Sequence, residues 1–432
     1  MSYSTWQIVH VPYDKTTGTW NEALQSTIPS FYDPVVKMSL GSGKDSFEFK
    51  ITDFADSYTN FFNPLDKIYI YRAHNTDTVT SSDLLMVGAI RDVPKQETGS
   101  DDTLRVEGYN YSETIMNAIC FVDLTNSIIP TGLKAAVDQV GSFNENFKVE
   151  WDNTNPTLTS TGAAFPLVGK KYFNVRLLDI LEKNSVPQKT TDGFYFWYVD
   201  KDNKLQWRHQ DSYSSDGFDY TTTPCKSIKI SKDVKDIKNY LVMKGGIDPA
   251  GKQIQRKVYD PVSVAKHGQK FYVITSESNN AQELNKQDLD LSYGNSYVNT
   301  KYPTFPFTTV WKSTIDVTLS GDFGTVTMIS GSSVTINQGS QASNEKAYVA
   351  AVRSEVLNRL YIEGNQFIDA YAYGKYKIDL EFLPGTTAWG LGTRISANIP
   401  EMDVSAKTMR VYEILYGEDN DIYSLEEDVG TI

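Results

Sequence analysis

Apolar and polar residues alternate at several places along this chain, and that period of two marks half-buried strands. Ser46-Phe-Glu-Phe-Lys-Ile51 is one such run. Lys67-Ile-Tyr-Ile-Tyr-Arg72 is another, with its tyrosines on the less apolar face. Leu84-Leu-Met-Val-Gly-Ala-Ile-Arg91 and Thr103-Leu-Arg-Val-Glu-Gly108 predict two more strands, with a polar linker from Lys95 to Asp102 between them. Phe61-Phe-Asn-Pro64 reads as a turn. Strands this short and closely spaced predict a small antiparallel barrel or sandwich over residues 1–112.

The pattern then changes. Asn110 with Glu113 three residues later forms a capping box and predicts a short helix through Ile115, Ile119 and Cys120. Residues 125–170 are rich in Thr, Asn, Pro and Gly and are expected to be irregular with short strands. A second helix is predicted over 174–184, capped by Asn174, with Val175, Leu177, Leu178 and Leu181 on one broad apolar face. An aromatic hairpin follows: Gly193 to Val199, a turn at Asp200-Lys-Asp-Asn203, then Lys204 to Arg208.

Farther on, Ser227-Ile-Lys-Ile230 alternates strictly, and Asn239 to Gly246 reads as a buried strand ending at a glycine pair. Pro249-Ala-Gly251 marks a boundary. Residues 252–340 are mixed, with strand traces such as Thr325 to Ile329. A helix is predicted from Ser343 as N-cap to about Tyr361, with Val349, Val352, Val356 and Leu360 on one face and Gly364 closing it. Tyr376 to Phe382, Gly392 to Ile399 and Met409 to Tyr416 are strand-like, with a Pro384-Gly385 turn after the first.

Composition narrows the class. The 432 residues are 40% apolar and 22% charged, which suits a globular chain of two large or three average domains and excludes a mainly disordered one. Tyrosine at 27 and phenylalanine at 20 favour strands and suit large protein contacts. The densest apolar run, Phe194 to Val199, is far shorter than the ~18–20 residues of a membrane span, so no stable membrane insertion is expected. Met-Ser-Tyr-Ser-Thr-Trp at the N-terminus has no Sec-type pattern. Cys120 and Cys225 make neither a disulfide framework nor a zinc site and read as thiols in a reducing compartment. A formal net charge of −13, with no basic stripe, argues against specific nucleic-acid binding. Residues 417–432 hold six acids and no basic residue, so this tail is expected to be solvated or ordered only against a partner.

Candidate chemistry is sparse. His10, His74, His209 and His267 lie too far apart for a local metal motif, and nothing presents one as a general base. Gly41-Ser-Gly-Lys44 fails as a phosphate loop, because Met38 stands where the first glycine is needed and Asp45 where a Ser or Thr is needed. It reads as a turn between strands. Asp200-Lys-Asp-Asn203 opens like a calcium loop, but Lys204 takes a ligand position and Leu205 the glycine position, so it reads as a hairpin turn. Gly390-Leu-Gly392 lacks the strand-to-helix context of a dinucleotide site. Glu381 and Glu401, flanking a loop near Trp389, are the best available pair for glycoside hydrolysis, which needs carboxyls ~5–9 Å apart; solvated strand faces are the plainer expectation. Cys120 ends a predicted helix rather than starting one, so nothing lowers its pKa. No catalytic, cofactor-binding or metal-binding residue is assigned, no cofactor is expected, and the chain is expected not to be an enzyme.

The order of elements resembles the hub proteins of bacteriophage tail baseplates, which are related to the late-control proteins of contractile-tailed phages and to the N-terminal parts of type VI spike proteins. Phe47-Glu-Phe-Lys-Ile and Asp66-Lys-Ile-Tyr-Ile-Tyr are similar to the family's first-barrel pattern, with Leu65-Asp66 where a Gly-Asp turn is common. Gly88 to Asp92 and then Thr103 to Asn110 resemble its central hairpin leading into a helix. The most telling stretch is Val175 to Leu181 followed by the aromatic hairpin Gly193 to Trp207. Lys232 to Gly246 resembles the strand opening a second barrel; Trp389 to Ile399 and Met409 to Tyr416 resemble those closing it. Residues 252–370 have no counterpart; Arg353 and Arg359 on the last helix are candidates for subunit contacts.

The resemblance implies a mainly β fold with some α: two similar small antiparallel β-barrels plus α/β insertions. The domains would be a first barrel at 1–112, an α/β unit at 113–210, a second barrel from 211–250 and 371–432, and an inserted β-rich unit with a C-terminal helix at 251–370. It implies a homotrimeric ring with pseudo-sixfold symmetry in the virion baseplate, made in the bacterial host cytoplasm. That ring joins the hexameric tail tube or distal tail protein to a trimeric central spike, tail tip or fibre and lines the DNA conduit, with the tape-measure protein as another neighbour. The alternatives are a carbohydrate-binding host-recognition module with exposed Tyr and Trp, and a tail-associated cell-wall hydrolase.

Overall fold

The computed structural model describes residues 3–41, 44–52, 58, 61–93, 95–98, 101–123, 127–143, 145–156, 167–168, 171–185, 194–233, 235, 237–247, 253–276, 315–320, 323–328, 333–336, 357, 360–361, 363–369, 371–400 and 404–428. Six long strands open the chain, with shorter ones between them: β1 (Ser4–Val11), β2 (Tyr32–Ser39), β3 (Ser46–Thr52), β4 (Lys67–His74), β5 (Leu84–Asp92) and β6 (Asp101–Asn110). The alternation in β3 buries Phe47, Phe49 and Ile51; that in β4 buries Ile68 and Ile70 and leaves Tyr69 and Tyr71 half-buried. The expected polar linker after β5 is instead a short strand, Lys95–Thr98, which doubles back on residues 101–104 of β6. Leu65, in the turn before β4, holds a φ of +79°, a left-handed conformation that glycine adopts more cheaply.

A mixed unit follows. Its elements are α1 (Ser112–Asn117), β7 (Ile119–Asp123), α2 (Ile129–Phe143), β8 (Lys171–Arg176), α3 (Leu177–Asn184) and the hairpin β9 (Tyr195–Val199) with β10 (Lys204–His209). Three expectations are corrected here. The first helix stops at Asn117, and Ile119 and Cys120 lie in β7, which pairs with β8. The capping box does not form: Asn110 accepts a hydrogen bond from the Ser112 N–H, and Glu113 pairs with Arg91. The second predicted helix begins at Leu177, so Val175 belongs to a strand, and Asn174 is a left-handed strand residue (φ 58°) rather than a cap. Residues 125–170, expected to be irregular, contain α2, which buries Ile129, Leu133, Ala136, Val137 and Val140 at helical spacing. Trp197, Trp207, Leu133 and Leu181 centre the core of this unit.

The second half supplies β11 (Ser215–Asp219), β12 (Ser227–Asp233), β13 (Tyr240–Ile247), β14 (Gln253–Tyr259), α4 (Pro261–His267), β15 (Phe271–Thr275), β16 (Lys375–Phe382), β17 (Arg394–Ile399), β18 (Val404–Tyr416) and β19 (Asp421–Glu427). β13 does not join the main sheet, as the resemblance implied; it pairs with β14 and β15 in a separate three-stranded sheet. Strands 315–320, 323–328 and 333–336 form another. Helical residues at 357, 360–361, 363–369 and 371 carry the last helix past Gly364, so that glycine does not close it. A Cβ at Gly364 would lie 2.6 Å from the Val258 side chain, so its bareness lets helix and sheet approach. Ser343, Val349, Val352 and Val356 lie outside the described residues. The acidic tail is also corrected: β19 is an interior strand between β16 and β18, with Asp421, Tyr423 and Leu425 buried.

The main sheet has 14 strands, and the longest path through it runs β12-β16-β19-β18-β2-β3-β6-β5-β4-β1 and then Ser26–Thr27, with β17 beside β18 and β11 beside β17. The sheet contains one order twice. Taking six strands from each half in chain order, both run second, third, sixth, fifth, fourth, first across the sheet. The corresponding ladders are antiparallel in both halves, except that β11 lies parallel to β17 where β1 is antiparallel to β4. A bulge falls at the same place in both, between Gly108 and Glu107 opposite β5 and between Val411 and Glu413 in β18. Even the buried positions match: Phe47, Phe49 and Ile51 in β3 correspond to Ile378, Leu380 and Phe382 in β16. Repeat one connects β2 to β3 by a short turn. Repeat two places everything from 234 to 374 at that point. The fold is thus mainly β with some helices.

Candidate assembly surface

The two repeats meet in a backbone seam. The end of β18 pairs with β2, Glu413 across from Ser39 and Tyr416 across from Val36. The Leu40 N–H donates to the Tyr412 carbonyl at 2.7 Å, and Lys37 pairs with Glu413 at 2.7 Å. Beside it, Arg72 on β4 reaches Asp421 on β19 at 2.6 Å, with both side chains 2% exposed. Arg72 also donates to the Gly417 carbonyl and lies over the rings of Trp6 and Tyr416.

A second buried cation ties the aromatic hairpin to repeat two. Arg410 is fully buried; it donates twice to Asp428 at 2.9 Å and also to the carbonyls of Gly392 and Gln210, under the Phe196 ring. A third tie is Asp45, which accepts from the Ser39 amide at 2.6 Å and from the Asn110 side chain at 2.7 Å. Burial pushes the Asp45 carboxyl up to about 7, against those two hydrogen bonds, which favour the ionised form. Such joints fix the elements they link, since a buried charge stripped of its partner is costly.

The sequence candidates for chemistry are dispersed. His10 binds Asp66 at 2.8 Å in the core of repeat one, against Phe61 and Phe62. His74 meets Ser4, with burial lowering its pKa; His209 accepts from the Asp211 amide; His267 lies edge-on to Tyr373. Glu381 accepts from Asn420 and Ser227, which hold its carboxyl below the usual range, the opposite of a general acid's need. Glu401, Arg353 and Arg359 lie outside the described residues. Trp389 donates to Asp216 and packs in the core of repeat two. Cys120 is buried, with its thiol pushed up to about 11; Cys225 is half-buried. Asp200 caps the hairpin turn, accepting from the amides of Asp202 and Lys204. Gly41, at φ 81°, turns the chain between β2 and β3 and donates to the Trp197 carbonyl.

Among the described residues no three His, Cys, Asp or Glu side chains are grouped to hold a metal, and no helix is long and apolar enough to cross a membrane. A cavity of about 230 Å³ opens between β5, β6 and α1, lined by Leu65, Ala89, Tyr109, Phe147 and the pair Arg91–Glu113. Its charges neutralise each other, so no pair of acids converges there. Exposed apolar side chains gather on the inserted unit, at Tyr259, Val262, Phe271, Tyr272 and Val273, and on the α/β unit. Phe121 and Phe173 face each other across β7 and β8, and Phe143 ends the neighbouring α2. Gln139 of α2 accepts from the Phe121 N–H and donates to its carbonyl, closing that strand edge.

Sequence reading missed Arg72, Arg410, Asp45 and Asp421. Arg72 and Asp421 did carry a signal: each sits at the period-two position of a buried face, Ile68-Ile70-Arg72 and Asp421-Tyr423-Leu425.

No family model matches the chain, and no curated protein matches it in sequence. Its fold does match solved structures over nearly its full length. The tail protein from Neisseria meningitidis MC58 aligns over 98% of this chain and 97% of its own, with a TM-score of 0.55 at 9% identity. The 43 kDa tail protein of prophage MuSo2 from Shewanella oneidensis aligns over 97% and 98%, with a TM-score of 0.49 at 12% identity. Prophage tail protein gp18 from Listeria monocytogenes EGD-e aligns over 98% and 94%, with a TM-score of 0.49 at 9% identity. This chain thus shares its fold with the Neisseria tail protein.

Proposed function

We propose that this protein is the structural hub of a phage tail baseplate, a homotrimer whose two repeats per chain present six similar modules around a conduit for DNA. The observation that carries this reading is the doubled strand order, with matching bulges, running through one continuous sheet. A protein that matches parts of different rotational order needs such a doubled module, and it needs joints rather than reacting groups. The fold shared with the Neisseria tail protein supports the reading. Its partners would be the tail tube or distal tail protein on one side and a central spike, tip or fibre on the other, with the tape-measure protein inside. A net charge of −13 suits a passage that does not hold phosphates.

The two repeats are read as two small barrels, the α/β unit between them and the 234–374 segment as an insertion in the second. No enzymatic role is assigned. A sugar platform draws no support from the described tryptophans: Trp197, Trp207 and Trp389 are buried and Trp6, Trp20 and Trp151 half-buried, and the exposed rings include tyrosines such as Tyr259 and Tyr272. The test is a cryo-electron microscopy map of intact tails carrying a tagged copy. Three tags at the distal end of the tube are expected; tags along the tube, or on side fibres, would reject the hub.

A further inference from the structure

The seam inside the chain has a counterpart whose two halves lie exposed. The strand orders equate β18 with β5 and β2 with β12, and the bulges fix the register. Glu413 across from Ser424 corresponds to Asp92 across from Glu107, so Ile414 corresponds to Val93. On the other side, Phe47 and Ile378 are equivalent through Gly108 and Leu425. Their partners Val36 and Ile230 are then equivalent, and so are Lys37 with Ser231 and Met38 with Lys232. Within the chain, Glu413, Lys37 and Met38 are half-buried in the seam. Asp92, Ser231 and Lys232 are exposed. Among the described residues β12 ends the sheet path, and the β4 ladder with β5 stops at Ala89, short of Asp92.

We propose that the end of β5 in one copy pairs antiparallel with β12 of a second copy, Val93 across from Lys232, repeating between chains the joint that β18 and β2 make within one. This rests on the threefold reading above. A second copy is the occupant because the end of a fifth strand already fits a second strand in this sheet, and each chain offers one unused example of both. Three such contacts, alternating with the three internal seams, close a ring head to tail. The new contact keeps the acid, Asp92 for Glu413, but has Ser231 where the internal seam has Lys37, so it lacks the Lys37–Glu413 ion pair. It is therefore the weaker joint, as suits a chain that folds before it assembles.

The test uses the full chain with Cys225→Ser, since Cys225 lies just before β12. Val93→Cys with Lys232→Cys is oxidised, and Asp92→Cys with Asp233→Cys, a second opposed pair, is bridged by a short bismaleimide in case Val93→Cys disturbs packing. Cross-linked dimers and trimers on a denaturing gel are expected from each pair and none from the single variants. Native mass is read on the same samples. Three copies without cross-links from either pair would overturn this contact and leave the threefold reading standing; monomers alone would overturn both. Independently, Ser231→Lys is expected to lower the concentration for half-assembly roughly two- to fivefold and Ser231→Glu to raise it similarly. No change from either would contradict the contact.

Discussion

Single buried charges hold this molecule together. Arg410 has no exposed surface, and its removal would strand Asp428 and the carbonyls of Gly392 and Gln210. Arg410→Ala is expected to cost about 3–5 kcal/mol in urea unfolding, and Arg410→Lys a large part of that, because an ammonium cannot reproduce the two parallel bonds to Asp428. A loss under 1 kcal/mol for the alanine variant would mean that Arg410 is not a joint. Asp45 gives a pH signature. Its carboxyl is raised to about 7 in the folded chain against an ordinary 3.8, so the folded state holds the proton longer. Its contribution is complete below about pH 4 and is lost as pH rises through 7, on the order of 4 kcal/mol. Stability of the native protein minus that of Asp45→Asn should therefore fall between pH 4 and 7.5; a flat or rising difference would contradict it. Arg72 and Asp421 were missed although each carried a signal, a lone charge at a period-two position of a buried strand face. Arg410 and Asp45 carried none, because their partners lie far off in sequence, or across a turn whose glycines drew the eye to phosphate chemistry.

Among the elements, strands were legible and helices less so. Alternation in β3, β4 and β16 survives folding because each strand has one face on the core. α2 was obscured by its Thr, Pro and Gly residues, although Ile129, Leu133, Ala136, Val137 and Val140 keep helical spacing. β19 was obscured by the acids in it and just after it, which Arg72, Lys377 and Arg410 neutralise at Asp421, Glu426 and Asp428. Two glycines set close approaches. A Cβ at Gly108 would lie 2.3 Å from the Ala89 carbonyl and from the Phe47 ring; at Gly364 it would meet Val258 at 2.6 Å. Gly364→Ala is expected to cost about 1–3 kcal/mol and Gly108→Ala more, because backbone yields less than a side chain. Equal melting temperatures for both variants and the native chain would refute these packing assignments.

At the scale of the whole molecule, the mainly β class was legible in the sequence but the continuity of the sheet was not. Two similar small barrels were the expectation, and one sheet path crosses both halves through β18 and β2. Nothing in either strand's residues names its partner, since pairing between edges is backbone to backbone. The duplication is invisible in sequence for the same reason: Phe47, Phe49 and Ile51 share only apolarity and period with Ile378, Leu380 and Phe382. The inserted sheets at 240–275 and 315–336 interrupt repeat two and hide it further.

The most direct measurement is the native mass of the purified chain, alone and with its tube partner, across a concentration series. Discrete particles of three chains, with no stable dimer or hexamer of chains, are the result this account requires. A chain that stays single at every concentration, or that closes with six copies on the tube, would contradict a doubled module that turns three chains into six places.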